Sequence, residues 1–179
     1  MLAGLIAADQ HGWLLYDRNA GRPLNARDQQ RRDRRLYDGQ RVQVVRVIDG
    51  DTLEINRPDG DQAVTRVRLL GVDAPEAARV TPEGQTIPAE PLAERSGALA
   101  ESLAGDRVVR LELDPNQTRG FYGRLLAYVV LDDGSRLGEH MLSAGLARTS
   151  PRWPHPHTER YHLLQLSARR DGLGLWADP

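Results

Sequence analysis

The chain has 179 residues, 40% hydrophobic and 27% charged, the composition of one globular domain and not of a disordered or membrane-spanning chain. All 24 basic residues are Arg, and Lys and Cys are both absent, which excludes Schiff-base and P-loop lysines, disulfides, thiolate nucleophiles and thiolate metal sites. With 25 acidic residues the net charge is −1, so no overall cationic field marks a polyanion binder.

Residues 1–8 (MLAGLIAA) are apolar but too short to span a bilayer. They are read as the remnant of a signal peptide or anchor, a frayed terminus or a small packing strand, with no choice among the three. Trp13, Leu14, Leu15 and Tyr16 form an apolar cluster, followed by turn residues at Asn19, Gly21 and Pro23. Asn25 caps a helix expected over residues 26–37, and Gly39 stops it. Residues 1–40 carry seven Arg and five acids (7 − 5 = +2), while residues 41–179 carry 17 Arg and 20 acids (17 − 20 = −3). The Arg-rich helix is read as a solvated face; the alternative is a basic arm adding phosphate contacts to a neighbouring site.

After Gly39 a β-branched run with partial alternation predicts a strand over residues 41–47, turning at Asp49-Gly50 into a second over 52–56 and, after Pro58-Asp59-Gly60, a third over 64–72. Residues 76–91 hold three Pro and one Gly with little periodicity and read as a long surface loop. A helix is expected over 92–104 with Leu92, Leu99, Leu103 and several Ala on one side. Strands over 107–113 and 124–131, a short helix over 137–144 and a last helix over 159–170 capped by Thr158 complete the order. Five short strands with a helix after the third predict a mainly β, α+β domain: a five-stranded OB-fold barrel with three packed helices over residues 40–179, preceded by an extension over 1–39 with its own short helix.

Asp51 begins the second strand, and Asp73 and Glu76 end the third. Antiparallel neighbours bring such ends together, and carboxylates held side by side call for a cation. An all-oxygen set favours a hard ion, Ca²⁺ before Mg²⁺; the plainer reading is that these acids cap turns. Arg68, within the third strand, and Arg124, opening the fifth, carry planar forks matched to phosphate oxygens; the plainer reading is surface ion pairing. His155, His157 and His162 complete no metal shell and are read as a solvated loop.

The runs VIDGDT (47–52), RLLGVDAPE (68–76), YGRLLAYV (122–129) and LGEHMLSAGLAR (137–148), with the closing GLGLW (172–176), resemble the staphylococcal nuclease (thermonuclease) family in one consistent order. The resemblance implies that Asp51 and Asp73 ligate Ca²⁺ through their carboxylates and Ala74 through its backbone carbonyl. It implies that Glu76 positions or deprotonates the attacking water, and that Arg68 and Arg124 clamp the scissile phosphate and its transition state. The implied activity is hydrolysis of DNA and RNA, single-stranded or denatured substrate favoured, leaving 3′-phosphorylated products, by a monomer without an organic cofactor. A secreted, periplasmic or anchored location is favoured by the same resemblance. Gly120 and Phe121 replace an acid and a base usual before Tyr-Gly-Arg, so a phosphate contact is exchanged for a stacking face. Phe121, Tyr122 and Trp153 are the expected substrate contacts, Trp153 being read equally as a half-exposed core residue. Two readings compete: a non-catalytic OB module that binds single-stranded nucleic acid, and a Ca²⁺-stabilised structural domain.

Overall fold

The computed structural model describes residues 16–17, 22–23, 25–150 and 155–177. The expectations for residues 1–8, for Trp13 to Leu15 and for Trp153 lie outside them. Tyr16–Asp17 and Arg22–Pro23 pair as a short antiparallel ladder.

Helix α1 (Ala26–Tyr37) begins at Asn25, whose side-chain oxygen accepts from the Asp28 amide at 2.9 Å, satisfying one of the free N–H groups of a helix start. Asp33 and Tyr37, one turn apart, are its buried residues, while Arg27, Arg31, Arg34 and Arg35 are exposed. The Tyr37 ring enters the core, and its hydroxyl bonds the Pro58 carbonyl at 3.0 Å and the Thr65 hydroxyl at 3.1 Å.

Strands β1 (Arg41–Val47), β2 (Thr52–Ile55) and β3 (Thr65–Leu69) form an antiparallel meander. Helix α2 (Ala93–Ala104) follows, then β4 (Val108–Glu112) and β5 (Leu125–Val130). The strands close as β5-β3-β2-β1-β4, with β5 parallel to β3 and antiparallel to β4. This is the expected five-stranded OB barrel.

The partial alternation of β1 has a local cause. The β1–β2 register shifts between Val44 and Arg46, so after the buried Val44 both Val45 and Arg46 face outward, as a bulge allows. Every residue of β5 is buried, because one face lines the barrel and helix α3 (Leu137–Ser143) packs against the other. The fully buried centre holds Val44, Leu53, Ile55, Val67, Leu111 and Leu125, and each such side chain contributes about 1.5–3 kcal/mol of apolar burial.

Three expected elements differ. The third strand stops at Leu69, and Val72–Asp73 pairs separately with Arg148–Thr149. The break is Gly71 at φ +81°, where a Cβ would lie 2.4 Å from a His155 ring nitrogen, so only glycine suits the turn. Within the loop over 76–91, Arg79–Val80 pairs with Thr86–Ile87 as a small hairpin. Helix α2 turns Ala93, Ser96, Ala100 and Ala104 fully inward, leaving Leu92, Leu99 and Leu103 at the margin; small residues let its backbone approach the barrel. Helix α4 (Thr158–Arg170) packs on α3. Among the described residues no helix is long and apolar enough to cross a membrane.

Candidate active site

Strand register gathers the reactive residues. Thr52 pairs with Arg68 across β2–β3, and Arg68 pairs with Leu126 across the parallel β3–β5 ladder. Asp51, just before Thr52, accepts the Leu69 amide on its carbonyl at 2.8 Å. Arg124 stands just before β5, and Asp73 follows the Gly71 turn. Asp51, Arg68, Asp73 and Arg124 are thus gathered where the start of β2, the end of β3 and the start of β5 lie side by side.

The Asp51 side chain is 4% exposed. Its Oδ2 accepts the Ala74 amide at 2.6 Å, and its Oδ1 accepts the Thr52 hydroxyl at 3.0 Å. Gly50 makes room for this turn: a Cβ there would lie 1.9 Å from the Ser96 hydroxyl oxygen on α2. The Arg68 guanidinium pairs through Nη1 with Asp51 and donates through Nη2 to Asp73 at 2.5 Å. Arg124 Nη1 donates to Thr52 Oγ1 at 3.3 Å. Thr52 therefore joins Arg124 to Asp51, and Arg68 joins Asp51 to Asp73.

Burial lowers the Arg68 pKa from its usual value, opposed by the charge of Asp73 and abetted by that of Arg124. It remains a cation at any working pH. Asp49, two residues before Asp51, accepts the Asp51 amide at 3.0 Å. Burial raises its pKa against the pull of Arg68.

Arg68, Asp73, Glu76, Phe121, Tyr122 and Arg124 line one cavity of about 600 Å³. Asp51 and Ala74 are outside the lining; Asp51 is tied to it through Arg68, and the Ala74 amide bonds Asp51. Glu76 lines the cavity and is paired with another lining residue: its Oε2 accepts from Arg79 at 3.2 Å, and its side chain is 49% exposed. Phe121 and Tyr122, 72% and 60% exposed, meet edge to face at 5.2 Å. The Arg124 guanidinium lies 5.9 Å over the Tyr122 ring, within cation–π range. No residue of α1 lines the cavity.

Asp51 and Asp73 converge on one positive group, the guanidinium of Arg68, from two sides. Two carboxylates with an adjacent backbone carbonyl suit a hard divalent ion. Among the described residues no three His, Cys, Asp or Glu side chains are grouped to hold a metal. A cation here would draw on Asp51, Asp73, the Ala74 carbonyl and water, and the donor chemistry fits.

Most of the expected site residues meet at this end of the barrel; Trp153 lies outside the described residues. The histidines are not a solvated loop. His155 and His157 are half-buried against Tyr128, at 5.8 and 4.7 Å between ring centres, and His157 stacks on Tyr161. Tyr128 stands on a strand far earlier in the chain, out of reach of a local reading, and of the three only His162 is exposed. Three contributors were missed: Asp49, Thr52 and Arg79. The Asp-Gly-Asp spacing signalled the first. Nothing local signalled that Thr52 would face Arg124, 72 residues away.

The chain is thus a closed five-stranded OB barrel with two arginines and three acids gathered at one rim. The chain matches the family model "Staphylococcal nuclease homologue" over residues 66–178. It is 33% identical to a thermonuclease of Staphylococcus intermedius over 142 residues, 77% of each chain. It is 32% identical to the endonuclease YncB of Bacillus subtilis (strain 168) over 139 residues, 76% of this chain and 61% of that one. It is 33% identical to an uncharacterized endonuclease of Escherichia coli O157:H7 over 141 residues, 75% of this chain and 76% of the other. The chain belongs to the staphylococcal nuclease family.

Proposed function

We propose that this chain is a Ca²⁺-dependent nuclease that hydrolyses phosphodiester bonds of DNA and RNA. The observation that carries the reading is the cavity lined jointly by Arg68, Arg124, Glu76 and Asp73, in a chain similar to nucleases over three quarters of its length. Asp51, Asp73 and the Ala74 carbonyl would hold the Ca²⁺, which supplies charge at a non-bridging phosphate oxygen and a polarised water. Arg68 and Arg124 bind the phosphate and present fixed positive charge where negative charge grows in the transition state. Their bonds to Asp73 and Thr52 hold the two forks before substrate arrives, so little reorganisation accompanies the reaction. Glu76 orients the attacking water and takes its proton. Phosphorus accepts the water oxygen, the bond to the 5′ oxygen of the next nucleotide breaks as that oxygen takes a proton from solvent to become a hydroxyl, and the phosphate stays on the 3′ oxygen of the other product. Phe121 and Tyr122 offer ring faces at the cavity mouth, which suits unstacked bases and favours single-stranded or denatured substrate.

The test is incubation of the chain with denatured DNA in Ca²⁺ or chelator, beside Arg68→Ala and Glu76→Gln. Degradation that needs Ca²⁺ and fails in both variants is expected. DNA left intact in every condition overturns the reading, and stoichiometric binding indifferent to chelator would replace it with a binding module.

A further inference from the structure

Asp33 is fully buried on the inner face of α1, where a carboxylate is costly unless paired. Its partner is Arg119, which donates Nε to Oδ2 at 2.8 Å and Nη2 to Oδ1 at 2.6 Å, a fork-to-fork pair. The same guanidinium bonds both oxygens of Asp59 and donates Nη1 to the Gly123 carbonyl at 3.0 Å. All five of its N–H donors are thereby engaged. Arg32, 3.5 Å from Asp59 and 3.9 Å from Asp33, balances the two acids.

The Gly123 carbonyl belongs to the peptide that leads into Arg124. Around it the segment folds on itself, with the Gly120 amide donating to the Arg124 carbonyl and the Gly123 amide to the Gly120 carbonyl, each at 3.0 Å. This tip carries Phe121 and Tyr122 at the cavity mouth and delivers Arg124 into it. Its glycines at 120 and 123 give it little stiffness of its own. The Arg119 side chain bonds no residue that lines the cavity and is itself absent from the lining.

We propose that Arg119 is a positioning residue for the phosphate-binding tip, and that α1 is part of the active-site scaffold through Asp33. Arg119 holds the tip to α1 and to the β2–β3 turn at Asp59, and so sets the direction in which Arg124 enters the cavity. The catalytic consequence rests on the nuclease reading; the fastening does not.

Two full-length variants test it. The double variant Asp33→Asn/Arg119→Gln removes the pair without stranding a buried charge, and Asp59→Asn loosens only the outer half, leaving a milder variant should the first not fold. Hydrogen exchange is followed by mass spectrometry on a peptide covering the tip and on one from β1–β2 as reference, at a temperature where each variant is folded. Steady-state cleavage of denatured DNA in Ca²⁺ is measured at the same temperature. Tip exchange should quicken about tenfold in the double variant and less in Asp59→Asn, with the reference unchanged. The kcat should fall about tenfold or more, beyond any change in KM, because Arg124 acts in the transition state. A lowered melting temperature with unchanged tip exchange, or with wild-type kcat, overturns the proposal and leaves Arg119 a purely structural residue. If the wild-type chain cleaves nothing, the nuclease reading fails, and the exchange measurement alone decides the fastening.

Discussion

Arg124 makes one hydrogen bond among the described side chains, at 3.3 Å to Thr52, so its removal costs little stability. In the proposed mechanism its value lies in the charge it presents to a phosphoryl transition state. Arg124→Ala should lower kcat by about 10²-fold or more while leaving the melting temperature nearly unchanged, as steady-state kinetics beside a thermal melt would show. Arg124→Lys should restore only a small part of the loss, because an ammonium cannot reproduce the planar fork. Arg68 is the opposite case, since its guanidinium also neutralises Asp51 and Asp73. Neutralising it should cost stability as well as activity. The residue types at these positions were legible from the motifs. That Glu76 is paired with Arg79 was not, because that contact depends on how the loop beyond Asp73 folds back into its small hairpin.

Helix α1 shows how far an element can be read from its own residues. The Asn25 cap and the stop near Gly39 gave its limits correctly, and the reading of a solvated Arg face agrees with the exposure of Arg27, Arg31, Arg34 and Arg35. The inward face was not legible. A helix with one buried Asp looks, in sequence, like any mixed-charge helix, and the partner at Arg119 is 86 residues away. Asp33→Ala should destabilise the fold by about 3 kcal/mol, since it leaves Arg119 buried and short of a counter-charge. Arg31→Ala on the outer face should change stability by no more than about 0.5 kcal/mol. Denaturant midpoints at constant m-value would separate the two. Neutralising Arg27, Arg31 and Arg35 together should leave the affinity for denatured DNA unchanged, because no residue of α1 lines the cavity.

The aromatic group where β5 meets the start of α4 brings a pH dependence. Burial lowers the pKa of both His155 and His157, with the charge of each neighbour (His157 for the first, Arg136 for the second) acting in the same direction. Tyr128, Tyr161, Glu112, Glu139 and Asp114 complete their surroundings. The unfolded chain then binds protons that the native chain refuses, so stability falls as pH drops below the ordinary His value of about 6.5. Glu139, held below its usual pKa by its bond from Arg160, loses its contribution only at lower pH still. His157→Gln should shrink the loss of melting temperature between about pH 7.5 and about pH 5.5; an unchanged loss would show that the imidazole is not the group responsible.

At the scale of the whole molecule, a net charge of −1 and a cavity carrying Arg66, Arg68, Arg79 and Arg124 mean that attraction for a polyanion is local. Affinity for single-stranded DNA should fall with salt at a log–log slope of about −2, as expected for roughly three phosphate contacts. A titration of binding against salt in Ca²⁺, using the inactive Glu76→Gln variant, would measure it. A much steeper slope would point to basic surface outside the cavity.

Sequence alone determined the order and type of the barrel elements and the helix limits to within a residue or two, because hydrophobic period, caps and turn residues act over a few neighbours; its motifs also named the candidate site side chains. It did not determine that the third strand ends at Leu69, that the histidines pack on Tyr128, or that Arg68 lies between Asp51 and Asp73. Nor did it show that Asp33 and Arg119 hold the tip bearing Arg124. Those contacts join residues brought together only by barrel closure and strand register, and what they cost or contribute depends on the burial that closure creates.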